Sequence, residues 1–221
     1  MRPGFGQFQV ASEEYLLFAQ QFGATDILFN TPLISGDGGK WNLQDLVKLR
    51  LRVEQFGMKL TALENVPTNF YDHIMLNGPR RDEQIENMIF TVRNMARAGI
   101  PIFGYNWMPS HVWRTPPALI RGGALATAYD HALGSKYPLT HGREYSEEEM
   151  WQNLEHWIKI ITPVAEEEGI RLGIHPCDPP VDKLGGIPQL LRSFESYKRL
   201  VEIYPSDSNG IEFCQGTFSE M

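Results

Sequence analysis

The sequence predicts an α/β fold built on a parallel sheet. Segments with the composition of buried strands alternate with segments that carry apolar residues at helical spacing, and the alternation runs through six strands. Every connection between successive strands is long enough for the crossover that parallel strands require. Polar residues collect at the carboxyl ends of these strands, where parallel sheets place their ligands. Both a doubly wound open sheet and a (β/α)8 barrel satisfy these observations.

The individual elements follow from local signals in the order of the chain. Ser12, ahead of two acidic residues, predicts the start of the first helix, and Gly23 predicts its end. Asn42 and Gly57 bracket the second helix in the same way, and later helices carry apolar stripes at helical spacing. The predicted strands cover residues 5–9, 26–30, 59–65, 100–107, 171–175 and 210–216, and the predicted helices cover residues 13–22, 43–56, 82–98, 147–168 and 188–204.

Composition limits the classes of function. The chain has 221 residues, 42% of them hydrophobic, which is enough for one sizeable core in a single domain. A formal net charge of -7 and the lack of a basic block argue against a nucleic-acid partner. No run of about 18 apolar residues occurs, so we expect no membrane span and no membrane partner. Two cysteines fit a reducing compartment, and we expect a cytoplasmic protein.

Side chains that can hold a metal lie at the ends of predicted strands. His175 ends the fifth strand and Cys214 lies in the sixth, and neighbouring parallel strands are only about 4.8 Å apart. An imidazole and a thiolate together suit zinc, iron(II), manganese(II) or cobalt(II) better than magnesium or calcium. Glu212, Asp178 or Glu64 could add a carboxylate. A strand-capping histidine and a small core cysteine are the alternatives that the sequence leaves open.

Five motifs together resemble the mannonate dehydratase family. They occupy residues 105–109, 113–115, 175–180, 185–187 and 212–217. The resemblance extends over essentially the whole chain, and the combination of motifs is specific although each motif alone is not. It implies a TIM barrel of the xylose-isomerase-like type and a divalent metal, Mn²⁺ or Fe²⁺. The implied reaction is the dehydration of D-mannonate to 2-keto-3-deoxy-D-gluconate.

The resemblance also assigns individual residues. The family's ligand histidine falls on His175 and its ligand cysteine on Cys214. Cys177 stands where the family usually has an acidic residue, which would suit a branch that acts on a different sugar acid. Family members continue past Met221, with further metal ligands and a catalytic histidine and tyrosine on their last strands. The resemblance therefore implies one partial barrel domain over 1–221, truncated after the sixth strand, without the family's acid and base.

The segment 110–146 is too long for a passive connection inside a compact domain, and we expect a lid-like loop. Its arginine and histidine side chains supply the charge and donor geometry that a carboxylate substrate needs. Other polar residues at the rim are placed to bind the hydroxyl groups of a sugar acid. The expected substrate-binding residues are Glu64, Asn106, Arg114, His141, Arg143 and Asp178.

Three interpretations of function remain open at this point. The first is a metal-dependent hydro-lyase that acts on a small sugar acid. The second is a sugar isomerase or epimerase on the same barrel, which would turn over a ketose and leave mannonate untouched. The third is an inactive fragment whose exposed strand edges at 5–9 and 211–215 invite pairing, so that a homo-oligomer is expected.

Overall fold

A six-stranded parallel sheet forms the centre of the computed structural model, which describes residues 2–221. Four further short strands form two antiparallel hairpins outside this sheet. The strands are β1 (Gly4–Phe8), β2 (Asp26–Asn30), β3 (Lys59–Glu64), β4 (Ile102–Tyr105), β5 (Thr115–Leu119), β6 (Leu125–Ala128), β7 (Arg171–Ile174), β8 (Lys183–Leu184), β9 (Ile187–Pro188) and β10 (Asn209–Ile211).

The strand order distinguishes the two architectures that the sequence left open. The sheet runs β1-β2-β3-β4-β7-β10, so each strand of the sheet lies beside the one that precedes it in the chain. A doubly wound sheet reverses its strand order at a switch point, whereas a barrel wall does not. Within residues 2–221 the outer strands β1 and β10 each have one neighbour. The predicted (β/α) barrel is therefore confirmed as a wall of six strands that is not closed.

The helices follow the predicted alternation with the strands. None of those in residues 2–221 combines the length and the apolar content needed to cross a bilayer. Ser12 and Ser146 cap helices by accepting hydrogen bonds from the backbone amides of Tyr15 and Glu149. The helices are α1 (Glu13–Gln21), α2 (Leu43–Glu54), α3 (Asp72–Met75), α4 (Arg81–Arg97), α5 (His131–Gly134), α6 (Glu147–Glu168), α7 (Phe194–Ile203) and α8 (Gln215–Phe218).

The two faces of the sheet have different environments because successive side chains of a strand point to opposite sides. In β2, Ile27 and Phe29 are fully buried in the hydrophobic core. Leu28, between them, lines an open cavity of about 530 Å³. Gly104 of β4 and Gly173 of β7 line the same cavity. The concave face of the wall is thus partly open, and its small residues leave room beneath the carboxyl ends of the strands.

Two predicted elements near the end of the chain are wrong in extent. The helix predicted over 188–204 begins only at Phe194, because Gly185 and Gly186 turn the chain into the β8–β9 hairpin and Ser193 then caps α7. The strand predicted over 210–216 stops at Ile211. The amide of Glu212 donates the last ladder bond to the carbonyl of Ile174, and α8 follows three residues later.

The segment 110–146 contains local structure of its own. Strands β5 and β6 pair as an antiparallel hairpin, and the short helix α5 follows them. Asp130 caps α5 by accepting hydrogen bonds from the amides of Ala132 and Leu133. The hairpin therefore replaces an unstructured loop, while the lid-like role of the segment stays a prediction.

Candidate metal centre

Three side chains converge at the carboxyl edge of the sheet. Glu64 ends β3, His175 follows β7 and Glu212 follows β10. Each offers one ligand atom, and these atoms lie within 4.8 Å of one another. Two oxygens and one nitrogen at this separation are a donor set that transition-metal dications bind. We refer to Glu64, His175 and Glu212 as the acidic triad.

The backbone fixes where the imidazole of His175 lies. The His175 amide donates a 2.7 Å hydrogen bond to the carbonyl of Tyr105, which extends the pairing of β7 with β4 by one residue. The Nδ1 atom of His175 lies 2.7 Å from the carbonyl oxygen of Pro176. A carbonyl can only accept, so Nδ1 carries the proton and Nε2 is free as a ligand. A second hydrogen bond of this kind commonly orients histidine ligands of metals.

Glu64 is held by amide side chains from the neighbouring strands. Its Oε2 accepts a 2.8 Å hydrogen bond from Gln7 Nε2, and its Oε1 accepts a 3.2 Å bond from Asn30 Nδ2. Asn65 Nδ2 adds a longer contact of 3.4 Å to Oε1. Burial raises the pKa of Glu64, although the nearby His175 lowers it in part. The carboxylate is therefore oriented by donors from three sides.

Glu212 has a buried oxygen without a partner. Its Oε2 is shielded from solvent and has no hydrogen-bond partner as long as both Glu212 and Glu64 are ionised. Burial, together with the neighbouring Glu64 carboxylate, raises the pKa of Glu212 to about 8. Leaving a buried acceptor unpaired is costly, and two adjacent carboxylates repel each other. A cation between the two groups would remove both penalties.

The glycine at position 104 makes room for this pair. A Cβ atom added at Gly104 would lie 2.5 Å from Glu212 Oε2 and 3.3 Å from the Cα of Glu64. Any larger residue at position 104 would thus occupy the space into which the carboxylates of Glu64 and Glu212 project. The unpaired oxygen, the glycine cradle and the N/O donor set all fit a bound divalent metal, which Glu64, His175 and Glu212 would hold.

The cysteine expected beside His175 is not among these three groups. Cys214 Sγ lies 3.4 Å from Thr217 Oγ1 in the first turn of α8 and lines a pocket of about 250 Å³ with Arg114 and Asp178. Its role as a ligand stays a prediction. Cys177, by contrast, is fully buried, and burial raises the pKa of its thiol to about 12. Both cysteines are free thiols.

Two of the expected substrate-binding residues pair with each other. Arg114 makes a bidentate ion pair with Asp178, with N–O distances of 2.9 and 2.7 Å. This pair ties the segment 110–146 to the loop after β7. Asn106 is connected to the acidic triad through Asn65: its Nδ2 donates a 2.7 Å hydrogen bond to Asn65 Oδ1, and Asn65 Nδ2 lies 3.4 Å from Glu64 Oε1. Substrate binding by these residues, and by Glu64, stays a prediction.

His141 and Arg143, the other two expected substrate-binding residues, contact Thr140 and Glu149 respectively. His141 Nδ1 lies 2.8 Å from Thr140 Oγ1, and burial, with the nearby His111, lowers the pKa of His141. Arg143 makes a bidentate pair with Glu149 of α6, at 3.1 and 2.6 Å. Its guanidinium also lies 3.5 Å from the centre of the Tyr145 ring. Substrate binding by His141 and Arg143 stays a prediction.

The fold and the centre define a class of protein. An open barrel wall, with a triad that can hold a metal at its carboxyl edge, fits the architecture of the xylose-isomerase-like TIM barrels. A solved xylose isomerase-like TIM barrel protein from Mycobacterium smegmatis superposes with a TM-score of 0.57 at 10% identity, over 93% of this chain and 56% of its own. That likeness concerns the fold alone.

Sequence comparison then gives the family. The family model for D-mannonate dehydratase (UxuA) matches residues 12–139 and 130–221. A mannonate dehydratase from Streptococcus pneumoniae is 31% identical over 95% of this chain. The crystal structure of mannonate dehydratase from Streptococcus suis serotype 2 superposes with a TM-score of 0.87 at 30% identity and covers 99% of this chain. The chain belongs to the D-mannonate dehydratase family.

The chain is shorter than these relatives. It spans 63% of the length of the Streptococcus pneumoniae protein and 64% of the Streptococcus suis chain. The family membership therefore rests on a match that covers nearly all of this chain and about two thirds of each relative. The activity of those whole proteins is a separate question, to which the acidic triad contributes evidence.

Proposed function

We propose that this chain carries the metal-binding part of a hydro-lyase that dehydrates D-mannonate, or a related sugar acid, to 2-keto-3-deoxy-D-gluconate and water. The single observation that supports this most is the acidic triad, in which a buried Glu212 oxygen lacks a partner next to a second carboxylate. The family match supports the choice of substrate class. The proposed metal is Mn²⁺ or Fe²⁺.

The chemistry of the reaction fits the content of the rim. Removal of the proton beside a carboxylate creates negative charge while a hydroxide leaves the next carbon. A divalent metal, when bound, supplies Lewis acidity for that charge. Glu64, His175 and Glu212 are the proposed ligands, and Cys214 is a further proposed ligand from the family resemblance. The Nε2 atom of His175 is the donor because Nδ1 is engaged by the Pro176 carbonyl.

The remaining polar residues are proposed to bind the substrate. Arg114, His141 and Arg143 supply cationic or donor groups for a carboxylate, and Asn106 and Asp178 supply partners for hydroxyl groups. The Arg114–Asp178 pair already closes one side of the pocket that Cys214 lines. A small-molecule sugar acid is accordingly the proposed partner.

Two further statements about the protein are proposals. Two free cysteines fit a reducing compartment, so we propose a cytoplasmic location. The outer strands β1 and β10 have unpaired edges within residues 2–221, and such edges favour association. A homo-oligomer is therefore a proposed state of the chain, which light scattering would measure.

Metal analysis with two variants tests the proposed centre. We expect the wild-type chain to bind one Mn²⁺ per chain in calorimetric titration, and His175→Ala to abolish this binding because it removes the nitrogen ligand. Cys214→Ser is expected to weaken binding about tenfold, the size of one lost contact of about 1.4 kcal/mol. A wild-type chain without metal affinity, or a His175→Ala variant that binds normally, would refute the centre.

Assays of turnover test the reaction itself. Keto-acid formation from D-mannonate by the metal-loaded chain supports the dehydratase. Turnover of a ketose, with mannonate left unchanged, would point to an isomerase or epimerase instead. Binding of Mn²⁺ with turnover of neither substrate would show that the centre is correct and that the chain alone lacks the reaction.

A further inference from the structure

Gln7 on the edge strand β1 has an unusual backbone conformation. Its φ angle is 76°, in the left-handed region that residues with a side chain rarely adopt. The pairing of β1 with β2 is irregular between Phe5 and Phe8, the interval that contains Gln7. A bulge of this kind changes the direction in which a side chain projects. The irregularity therefore changes the direction in which the Gln7 side chain projects.

The side chain of Gln7 reaches the acidic triad. Its Nε2 donates a 2.8 Å hydrogen bond to Glu64 Oε2, across 57 residues of sequence. Its Oε1 accepts a 3.0 Å bond from Asn30 Nδ2, which also lies 3.2 Å from Glu64 Oε1. Gln7 and Asn30 thus hold both oxygens of Glu64 and each other. Gln7 is exposed whereas Glu64 is 4% exposed, so this hydrogen bond joins a surface amide to a buried carboxylate.

The next two strands end in the same way. Thr31, directly after β2, has a φ of 47°, and Asn65, directly after β3, has a φ of 62°. Thr31 Oγ1 donates to Asn30 Oδ1 at 2.9 Å, and Asn65 Nδ2 lies 3.4 Å from Glu64 Oε1. Strained backbone of this kind concentrates at functional sites, where the surrounding structure holds it in place. Gln7 and Asn65 therefore contact the Glu64 carboxylate directly, and Thr31 is connected to it through Asn30.

We propose that Gln7 is a positioning residue that holds the Glu64 carboxylate in the orientation required to bind a divalent cation. This inference rests on the proposed function, because it concerns the same centre. Gln7 is not one of the three proposed ligands and acts through Glu64. Hydrogen-bond partners of metal ligands restrict the ligand's rotamers, and their loss typically lowers metal affinity by about 10- to 100-fold.

A change of Gln7 to glycine separates this role from a purely structural one. Glycine adopts a φ of 76° without strain, so Gln7→Gly keeps the bulge and removes only the side chain. We expect Gln7→Gly to bind Mn²⁺ about tenfold more weakly than the wild type in calorimetric titration. The melting temperature of the metal-free protein, measured in EDTA, is expected to change by no more than a few degrees. Gln9→Ala, a matched change of an exposed glutamine two residues later, should alter neither quantity.

The outcomes distinguish this inference from the proposed function. If His175→Ala abolishes Mn²⁺ binding but Gln7→Gly binds as tightly as the wild type, the role of Gln7 is overturned and the centre stands. If Gln7→Gly lowers the melting temperature of the metal-free protein by ten degrees or more, a structural role replaces the positioning role. A wild-type chain that binds no Mn²⁺ overturns both.

Discussion

The acidic triad and the Arg114–Asp178 pair lie at the same edge of the sheet but differ in charge balance. Arg114 and Asp178 neutralise each other through two hydrogen bonds of 2.9 and 2.7 Å. The triad places two carboxylates beside a single imidazole, and when both are ionised Glu212 Oε2 has no hydrogen-bond donor. Only the charges of the Arg114–Asp178 pair are balanced by residues of the chain itself.

This contrast indicates where a ligand is needed. A bidentate arginine–carboxylate pair gains little from an added ion, because each charge already has its partner. A buried carboxylate beside a half-buried one is unfavourable until a positive charge joins them. At this edge, the Arg114–Asp178 pair holds the segment 110–146 in place, whereas the acidic triad is suited to bind a metal. The following changes test this division, starting with the largest expected effect.

Glu212→Gln should leave the triad with a single carboxylate, that of Glu64. The change removes one of the two repelling charges and one metal ligand. We expect Mn²⁺ affinity to fall at least 100-fold in calorimetric titration, while the metal-free protein becomes more stable at pH 8. An affinity within a few fold of the wild type would show that Glu212 is not a ligand.

The pH dependence of stability gives the sign of the Glu212 effect. Its pKa is raised from 4.5 to about 8 by folding, so the folded state binds more protons than the unfolded state between these values. Stability is therefore unaffected below about pH 4.5 and is lost as the pH rises toward 8. The difference in melting temperature between Glu212→Gln and the wild type, in EDTA, should grow from pH 5 to pH 8. Glu202→Gln, an exposed control on α7, should show no such trend.

Gly104→Ala tests the space beneath the carboxylates. The new Cβ would lie 2.5 Å from Glu212 Oε2, so the carboxylate must move away from Glu64. We expect about a tenfold loss of Mn²⁺ affinity and a stability cost of about 1 to 3 kcal/mol from overpacking. Gly173→Ala is the matched control, because its Cβ would lie 3.5 Å from the nearest Glu212 atoms, an ordinary contact. Equal losses in the two variants would show that the cradle at Gly104 is not specific.

Arg114→Ala should leave the metal centre unchanged and loosen the segment 110–146. Because the pair is partly exposed, its loss should cost less than about 1 kcal/mol of stability. We expect proteolysis within the β5–β6 hairpin to become several-fold faster and Mn²⁺ affinity to stay within twofold. Arg143→Ala, which breaks the bidentate pair with Glu149 instead, is the control and should not release the hairpin. A large loss of metal affinity in Arg114→Ala would contradict the division between the two regions.

The alternation of strands and helices, and the position of His175, could be predicted from the sequence alone. Apolar runs bounded by glycine and proline locate all six strands of the sheet, and serine caps locate α1. These signals depend only on residues that are close in sequence, so they hold whatever the tertiary structure is. The β8–β9 hairpin also had a local signal, since Gly185 and Gly186 between two apolar residues favour a two-residue turn. The prediction that residues 188–193 are helical overlooked this turn signal and is wrong.

The pairing of Glu64 with Glu212 could not be predicted in the same way. These residues follow β3 and β10, which are separated in the sheet by β4 and β7. Their side chains meet because the wall curves and because Gly104 and Gly173 leave its concave face empty. Curvature depends on the packing of all the helices, and no short stretch of sequence encodes it. Interior glycines in two predicted strands were the one available hint of a close approach.

The order of the sheet has a consequence for how the chain folds. Since each strand joins the edge made by the previous one, the sheet can grow from β1 onward by adding one strand and one crossover at a time. The widest interval lies between β4 and β7, which residues 106–170 connect. Closing a loop costs about 0.6 kcal/mol more for each doubling of its length, so this step bears the largest entropic cost. Because His175 and Glu212 lie beyond this interval, we expect the metal centre to form only after β7 has paired with β4.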